Sequence, residues 1–138
     1  MVRPHPEPSP APPAAVLLVD DDPVQVKFVQ AMLNRLGWRT DVARNGLEAI
    51  EAACSNLYDF VFMDLEMPTC NGWEATRRIH AALGPKSPYI VALTSHNRPT
   101  DRRESADAGM DDFLVKPVRL TTLANLLGPG QNSPAAAS

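Results

Sequence analysis

The sequence has few of the residues that would assign it to several common classes of protein. It contains two cysteines and three histidines in 138 residues, with no CxxC pair and no histidine at metal-ligand spacing from a cysteine. We therefore predict two reduced thiols and no zinc site. The net charge is only −3, so there is no electrostatic reason to expect nucleic acid or an anionic membrane surface as a partner.

Long apolar runs are also absent. No run approaches the roughly 18 residues that a membrane-spanning helix needs. The first fifteen residues contain six prolines where a signal peptide would have an apolar core. We therefore expect no membrane association and a cytoplasmic location.

Proline also marks the limits of the predicted domain. Residues 1–15 are rich in proline, and residues 128–138 (GPGQNSPAAAS) have a similar character. Because neither segment has much apolar surface to bury, we predict a disordered lead or linker and a disordered tail. Residues 16–127 then form one domain, which fits a chain with 44% hydrophobic residues.

Short apolar runs alternate with longer segments of helical period inside this domain. The runs are continuous, which is typical of strands in a parallel sheet covered on both faces, and a more polar run suits an edge strand. The predicted strands are residues 16–19, 38–43, 60–63, 89–93 and 113–115. The strict β-α order predicts an α/β fold with a doubly wound parallel sheet of five βα units.

Turn and capping residues predict where the helices begin and end. Asp22 and Pro23 form an N-cap and a first turn. The apolar stripe that follows, from Phe28 to Leu36, should face the sheet. Glycines are expected to begin or end the other helices at Gly46, Gly72, Gly84, Gly109 and Gly128.

Polar residues follow the strands, at the edge where ligands bind in doubly wound folds. They are Asp20, Asp21, Asp64, Thr94 and Lys116. Carboxylates about 4 Å apart repel each other by about 1 kcal/mol even in water, so a cation is expected among them. Mg²⁺ prefers oxygen ligands and fits two or three carboxylates without a histidine.

Each of these residues also has a purely structural interpretation. An aspartate after a strand is often a helix N-cap, as we predict for Asp22, and a lysine before a proline is often a solvated loop residue. Together, however, they form a site for a phosphoryl group. Mg²⁺ and Lys116 would neutralise its charge, Thr94 would donate a hydrogen bond, and Asp64 would attack in line.

Five segments carry a resemblance to a known family: VLLVDDDP, VFMDLEMP, NGWEATRRI, VALTS and AGMDDFLVKP. In this order and at these spacings, residues 16–127 resemble the receiver domain of bacterial-type two-component response regulators. MDLEMP together with AGMDDFLVKP is most similar to the receivers of hybrid histidine kinases. The resemblance implies a flavodoxin-like three-layer sandwich with strand order 2-1-3-4-5, the order known for the chemotaxis receiver.

The resemblance also implies a role for each residue of the site. Asp64 would accept phosphate from a histidine of a sensor histidine kinase or a histidine phosphotransfer protein. Asp21 and Asp64 would bind Mg²⁺ (or Mn²⁺) directly, with the backbone carbonyl of Glu66, and Asp20 would act through water. Lys116 would contact the phosphoryl group.

A conformational switch is implied as well. Thr94 would move towards phosphorylated Asp64, and Phe113 would take the vacated space. The bond between Lys116 and Pro117 would be cis. Phe113 stands where relatives often have tyrosine, so its movement would be sensed by packing alone. A downstream partner, or a second receiver in a homodimer, would dock on the face formed by the fourth helix, the fifth strand and the fifth helix.

Two further residues could set the lifetime of the phosphoryl group. Glu66 lies two residues after Asp64, and His96 lies two after Thr94, where the side chains could order the water that hydrolyses the acyl phosphate. The domain would then promote its own dephosphorylation without being an ordinary enzyme. The alternative is that both are solvated loop residues.

Two other functions remain open at this point. A phosphatase of the haloacid dehalogenase type also places an aspartate after a buried strand, but its motif needs a second aspartate where this chain has Glu66. A non-phosphorylated pseudo-receiver would act only by binding proteins, although it should lack one of the site groups. If the chain is a receiver, whether phosphorylated or not, it could be a free regulator or the excised C-terminal receiver of a hybrid sensor histidine kinase.

Overall fold

The computed structural model describes residues 15–67 and 70–128. The segments predicted to be disordered, residues 1–15 and 128–138, lie outside this part of the chain except for Ala15 and Gly128. Among the helices within the described ranges, none has the length and apolar character needed to cross a bilayer.

Five parallel strands form one sheet in the order β2-β1-β3-β4-β5, which confirms the predicted topology. The strands are β1 (Ala15–Val19), β2 (Arg39–Ala43), β3 (Phe60–Asp64), β4 (Tyr89–Thr94) and β5 (Asp112–Val115). The chain passes from β1 to β2 on one side and then returns to β3 on the other side. The carboxyl ends of β1 and β3 therefore flank a crevice of the kind in which doubly wound folds bind ligands.

Five α-helices connect the strands and cover both faces of the sheet. They are α1 (Pro23–Arg35), α2 (Gly46–Ser55), α3 (Gly72–Leu83), α4 (Pro99–Ala108) and α5 (Leu120–Leu127). The first turns of α1, α2 and α3 are capped by side chains that accept a backbone hydrogen bond at 3.0, 2.9 and 3.0 Å, namely Asp22, Asn45 and Asn71. Gly109 ends α4 with a φ of 100°, a left-handed conformation that favours glycine.

The two faces of the sheet bury separate groups of apolar side chains. On β3, Phe60 and Phe62 point to one face, where they pack with Trp38 and with the inner sides of α1 and α5. Val61 and Met63 point to the other face, which α2 and α3 cover. β3 is buried along its whole length, so the residue at its carboxyl end stands on a rigid central strand.

The apolar stripe of α1 differs from the predicted one at Phe28. The side chains that face the sheet are those of Val26, Val29 and Leu33, whereas Phe28 is 69% exposed. At about 100° per residue, Phe28 lies on the opposite side of the helix from Val26 and Leu33. Its ring therefore adds an exposed apolar surface rather than core packing.

Candidate functional site

Three aspartates meet at the crevice between β1 and β3. Asp20 and Asp21 directly follow β1, and Asp64 is the last residue of β3. One carboxylate oxygen of each lies within 4.8 Å of the other two. Asp20 and Asp64 are buried, with 1% and 2% of their surface exposed, whereas Asp21 is open to solvent. These three aspartates therefore lie together, as expected from the ends of β1 and β3.

Lys116 brings a positive charge to the same place from the end of β5. Its Nζ lies 3.3 Å from Asp64 Oδ1 and 3.5 Å from Asp20 Oδ2. Its backbone N–H donates to the carbonyl of Thr94 at 2.7 Å, and its peptide bond to Pro117 is cis. Burial alone would lower the pKa of Lys116, but the charges of Asp64 and Asp20 outweigh it and hold the pKa above its ordinary value.

The Asp64 carboxyl is poorly compensated in this arrangement. Burial raises its pKa from 3.8 to about 6, against the opposing effects of a hydrogen bond from the Glu66 backbone N–H and the charge of Lys116. The nearby charge of Asp20 contributes to this rise. One lysine does not balance three carboxylates, so the cluster has the electrostatics of a site for an additional cation.

The donor atoms fit a hard divalent ion. Each aspartate offers a carboxylate oxygen, and no cysteine or histidine belongs to this cluster of the described residues. Such an all-oxygen set suits Mg²⁺ or Mn²⁺ better than Zn²⁺. Asp20 is further oriented because its Oδ1 accepts a hydrogen bond from the Asp22 N–H at 3.0 Å. Asp22 itself caps α1, as the sequence predicted, and stands apart from the cluster.

Thr94 lies at the end of β4, and its hydroxyl is already engaged. Thr94 Oγ1 donates to Glu66 Oε1 at 2.7 Å, and the Ser95 N–H donates to the same oxygen at 3.1 Å. The His96 N–H in turn donates to Thr94 Oγ1 at 3.1 Å, and His96 Nε2 lies 3.9 Å from Glu66 Oε1. Burial alone would raise the pKa of Glu66, but the bonds from Thr94 and Ser95 hold it below its ordinary value.

Phe113 lies on β5, half-buried, on the same face of the sheet as Thr94. The register pairs Ala92 with Phe113, and residues two apart on a strand point to the same side. The guanidinium carbon of Arg102 on α4 lies 4.5 Å from the centre of the Phe113 ring. Arg102 Nε also donates to Asn97 Oδ1 at 2.8 Å, so one side chain connects the ring to the loop after β4.

Sequence reasoning missed two of these contacts. It placed Glu66 near the rim but did not pair its carboxylate with Thr94 and Ser95, and it assigned nothing to Arg102. Both contacts join residues that are far apart in sequence or lie on different structural elements, and neither residue type at its position carries a local signal. The side-chain directions that create them follow from the assembled fold.

Comparison with known proteins gives a match over the whole domain. Residues 16–127 match a family model described as response regulator receiver domain. The chain is 38% identical over 112 residues to two-component response regulator 24 of Arabidopsis thaliana, a match that covers 80% of this chain and 79% of that protein. It is also 38% identical over 116 residues to hybrid signal transduction histidine kinase F of Dictyostelium discoideum, which covers 81% of this chain but 10% of that protein.

A solved structure gives the same result for the fold. The receiver domain of a sensor histidine kinase from Pseudomonas aeruginosa PAO1, which has a magnesium ion coordinated in its active-site cleft, superposes with a TM-score of 0.75 at 36% identity. The match covers 81% of this chain and 92% of that chain. The similarity in sequence and fold therefore extends across both layers of helices and all five strands.

Proposed function

Because the chain belongs to the response regulator receiver domain family, we propose that Asp64 accepts a phosphoryl group from a phosphohistidine. It is a receiver domain of two-component systems and not an ordinary enzyme, and this membership excludes the haloacid dehalogenase alternative. The observation that carries the proposal is the position of the buried Asp64 carboxylate. It lies within 4.8 Å of the acid pair Asp20 and Asp21 and 3.3 Å from the ammonium group of Lys116.

Each group of the site has a role in the transfer. An oxygen of Asp64 forms a bond to phosphorus while the bond from phosphorus to the donor histidine breaks, and its electron pair returns to the imidazole. Asp21, Asp64 and the backbone carbonyl of Glu66 would hold the metal directly, and Asp20 would act through water. Bound Mg²⁺ (or Mn²⁺) would supply positive charge to the phosphoryl oxygens. Lys116 contacts one of these oxygens and neutralises its charge.

Thr94 and Phe113 form the switch in this proposal. Once Asp64 is phosphorylated, the Thr94 hydroxyl turns towards the phosphoryl group, and the Phe113 ring moves into the space that is vacated. Their location on one face of the sheet supports this coupling. Phenylalanine has no hydroxyl, so the movement is transmitted by packing. Arg102 has to leave the Phe113 ring when the ring turns inward.

Glu66 and His96 set how long the phosphoryl group survives. Both side chains stand at the mouth of the site, about half exposed, with His96 Nε2 3.9 Å from Glu66 Oε1. From there they can order the water that attacks the acyl phosphate. The domain thereby promotes its own dephosphorylation.

Two surfaces provide for partners. The donor, a sensor histidine kinase or a histidine phosphotransfer protein, approaches the open side of the site. The exposed Phe28 ring lines an apolar groove of about 340 Å³ together with Pro117 and Val118, which follow Lys116 in sequence, and we propose this groove as part of the donor surface. A downstream protein, or a second copy in a homodimer, docks on α4, β5 and α5, where Phe113 reports the state of Asp64. Resonance changes on addition of a histidine phosphotransfer domain would map the donor surface directly.

The domain could belong to either of two kinds of protein. The chain spans 79% of the plant response regulator and 10% of the Dictyostelium hybrid kinase, so both a free regulator and the receiver of a hybrid sensor histidine kinase agree with the matches. In either form we place the domain in the cytoplasm.

Binding of beryllofluoride, an analogue of the phosphoryl group, tests this proposal before a donor is known. We expect beryllofluoride with Mg²⁺, and neither alone, to shift the amide resonances of Asp64, Thr94 and Phe113. Asp21→Asn removes a metal ligand and should abolish the response, because the two remaining carboxylates hold the ion too weakly.

Asp22→Asn is the matched control, since it makes the same chemical change one residue away and asparagine still caps α1. It should respond like the wild-type chain. A wild-type chain that shows no shifts, or an unaltered response in Asp21→Asn, contradicts the proposal and favours a non-phosphorylated pseudo-receiver.

A further inference from the structure

The carboxylate of Glu66 is bound by two hydrogen-bond donors at the end of β4. Glu66 Oε1 accepts the Thr94 hydroxyl at 2.7 Å and the Ser95 N–H at 3.1 Å. Glu66 belongs to the loop after β3, Thr94 is the last residue of β4 and Ser95 begins the loop after it, so the contact joins the carboxyl ends of the two strands. Two donors converging on one charged oxygen make a strong, directional interaction.

These donors lie at the same rim of the sheet as Asp64. β3 and β4 are neighbours, with Asp64 beside Leu93 in the register, so Thr94 and Ser95 follow immediately at the same rim. Glu66 is held close to Asp64, because its own N–H donates to Asp64 Oδ1 at 3.0 Å. The Glu66 side chain therefore reaches from the phosphoacceptor to the groups that would stabilise the product.

We propose that the Glu66 carboxylate takes the place of a phosphoryl oxygen in the unphosphorylated protein by accepting hydrogen bonds from Thr94 and Ser95. This contact acts as a latch, because the carboxylate must be displaced before phosphorylation of Asp64 can proceed. This inference rests on the proposed function of Asp64. It concerns the unphosphorylated protein and the rate of acceptance, whereas the lifetime role concerns the phosphorylated protein.

The geometry of Thr94 makes the displacement obligatory. A hydroxyl has a single hydrogen, and Thr94 donates it to Glu66 while its oxygen accepts the His96 N–H at 3.1 Å. Thr94 is 1% exposed, so water has little access to its hydroxyl. To donate to a phosphoryl oxygen, Thr94 has to break its bond to Glu66. The carboxylate and the incoming dianion also repel each other, which moves the Glu66 carboxylate away from the Thr94 and Ser95 donors.

The covalent step itself is unchanged by the latch. With acetyl phosphate as donor, an oxygen of Asp64 forms the bond to phosphorus, and the bond from phosphorus to the acetyl oxygen breaks. Acetate leaves with the electron pair, and no oxidant or reductant is needed. The latch adds the cost of freeing Thr94 and Ser95 before or during this step.

Replacing Glu66 should therefore make the site easier to fill. We expect Glu66→Ala to raise the rate of phosphorylation by acetyl phosphate, and the apparent affinity for beryllofluoride with Mg²⁺, by about tenfold. Glu66→Gln should lie between Ala and wild type, because its amide oxygen still accepts both hydrogen bonds but without a charge. Glu51→Gln, the same loss of charge at an exposed position on α2, is the control and should match the wild type.

A second measurement reports the latch without phosphorylation. In the ligand-free protein, the Ser95 amide proton should move upfield in Glu66→Ala, because it loses its acceptor. It should return downfield when beryllofluoride binds and supplies a new acceptor. Circular dichroism confirms that each variant is folded.

The outcomes separate the latch from the proposed function. Equal rates and affinities in wild type, Glu66→Ala and Glu66→Gln, with the response still dependent on Asp64, overturn the latch and leave the receiver function intact. Equal gains in Ala and Gln also overturn it, because simple charge repulsion would then explain the effect. An unchanged Ser95 amide in ligand-free Glu66→Ala overturns it whether or not any variant is phosphorylated. A wild-type chain that accepts neither ligand contradicts the proposed function.

Discussion

At the level of single residues, ionisation of Asp64 destabilises the folded protein when no metal is present. Burial raises its pKa from 3.8 to about 6, and Lys116 offsets only part of this effect. The folded state therefore holds the Asp64 proton more tightly than the unfolded chain does. The contribution of this group to stability is complete below about pH 4 and decreases as the pH rises through about 6.

We therefore expect Asp64→Asn to be more stable than the wild type above pH 6 in the presence of EDTA, by roughly 1 kcal/mol, because an amide has no charge to desolvate. The difference should shrink towards pH 4, where the wild-type carboxyl is protonated. Thermal unfolding between pH 4 and pH 8 measures it. Mg²⁺ at neutral pH should stabilise the wild type and not the variant. A variant that is less stable by the same amount at every pH would rule out this electrostatic cost.

Single residues also show how far sequence reasoning extends. Asp20, Asp21, Asp64, Thr94 and Lys116 could be located because each ends or closely follows a strand, and the carboxyl ends of parallel strands share one edge. The exposure of Phe28 could not be predicted, because the wide apolar face of α1 is compatible with more than one rotation of the helix about its axis. The bond from Thr94 to Glu66 depends on rotamers and loop paths that no spacing encodes.

At the scale of elements, the loops after β3 and β4 control the mouth of the site. We expect the double variant Glu66→Ala, His96→Ala to lose its phosphoryl group about tenfold more slowly than the wild type, because the attacking water is no longer ordered. Phosphoryl decay after removal of acetyl phosphate measures this separately from the rate of formation. An unchanged decay rate would mean that both side chains are solvated loop residues with no role in lifetime.

The helices and strands differ in how much of them could be predicted. The caps at Asp22 and Asn45 and the stop at Gly109 are local, since each depends on a few adjacent residues. Contacts between helices are not local. Trp73 Nε1 on α3 donates to Ser105 Oγ on α4 at 2.9 Å, across 32 residues of sequence, and such pairs emerge only when the helices are packed.

At the scale of the whole molecule, the alternation of strands and helices was sufficient to predict a parallel sheet covered on both faces. The strand order β2-β1-β3-β4-β5 was implied by resemblance, because periodicity alone does not choose among doubly wound orders. Once this order holds, the chemistry follows from geometry. β1, β3 and β5 each deliver charged groups to one rim, although they are far apart along the chain.

Asp64 is proposed as a metal-dependent phosphoacceptor, and mass spectrometry after incubation with acetyl phosphate tests this role most directly. With Mg²⁺, the intact wild-type chain should gain the mass of one phosphoryl group, and peptide mapping after borohydride reduction should locate it at Asp64. The gain should disappear in EDTA and in Asp64→Asn, while Asp22→Asn should retain it. No gain in the wild type, or an equal gain in Asp64→Asn, would contradict the claim.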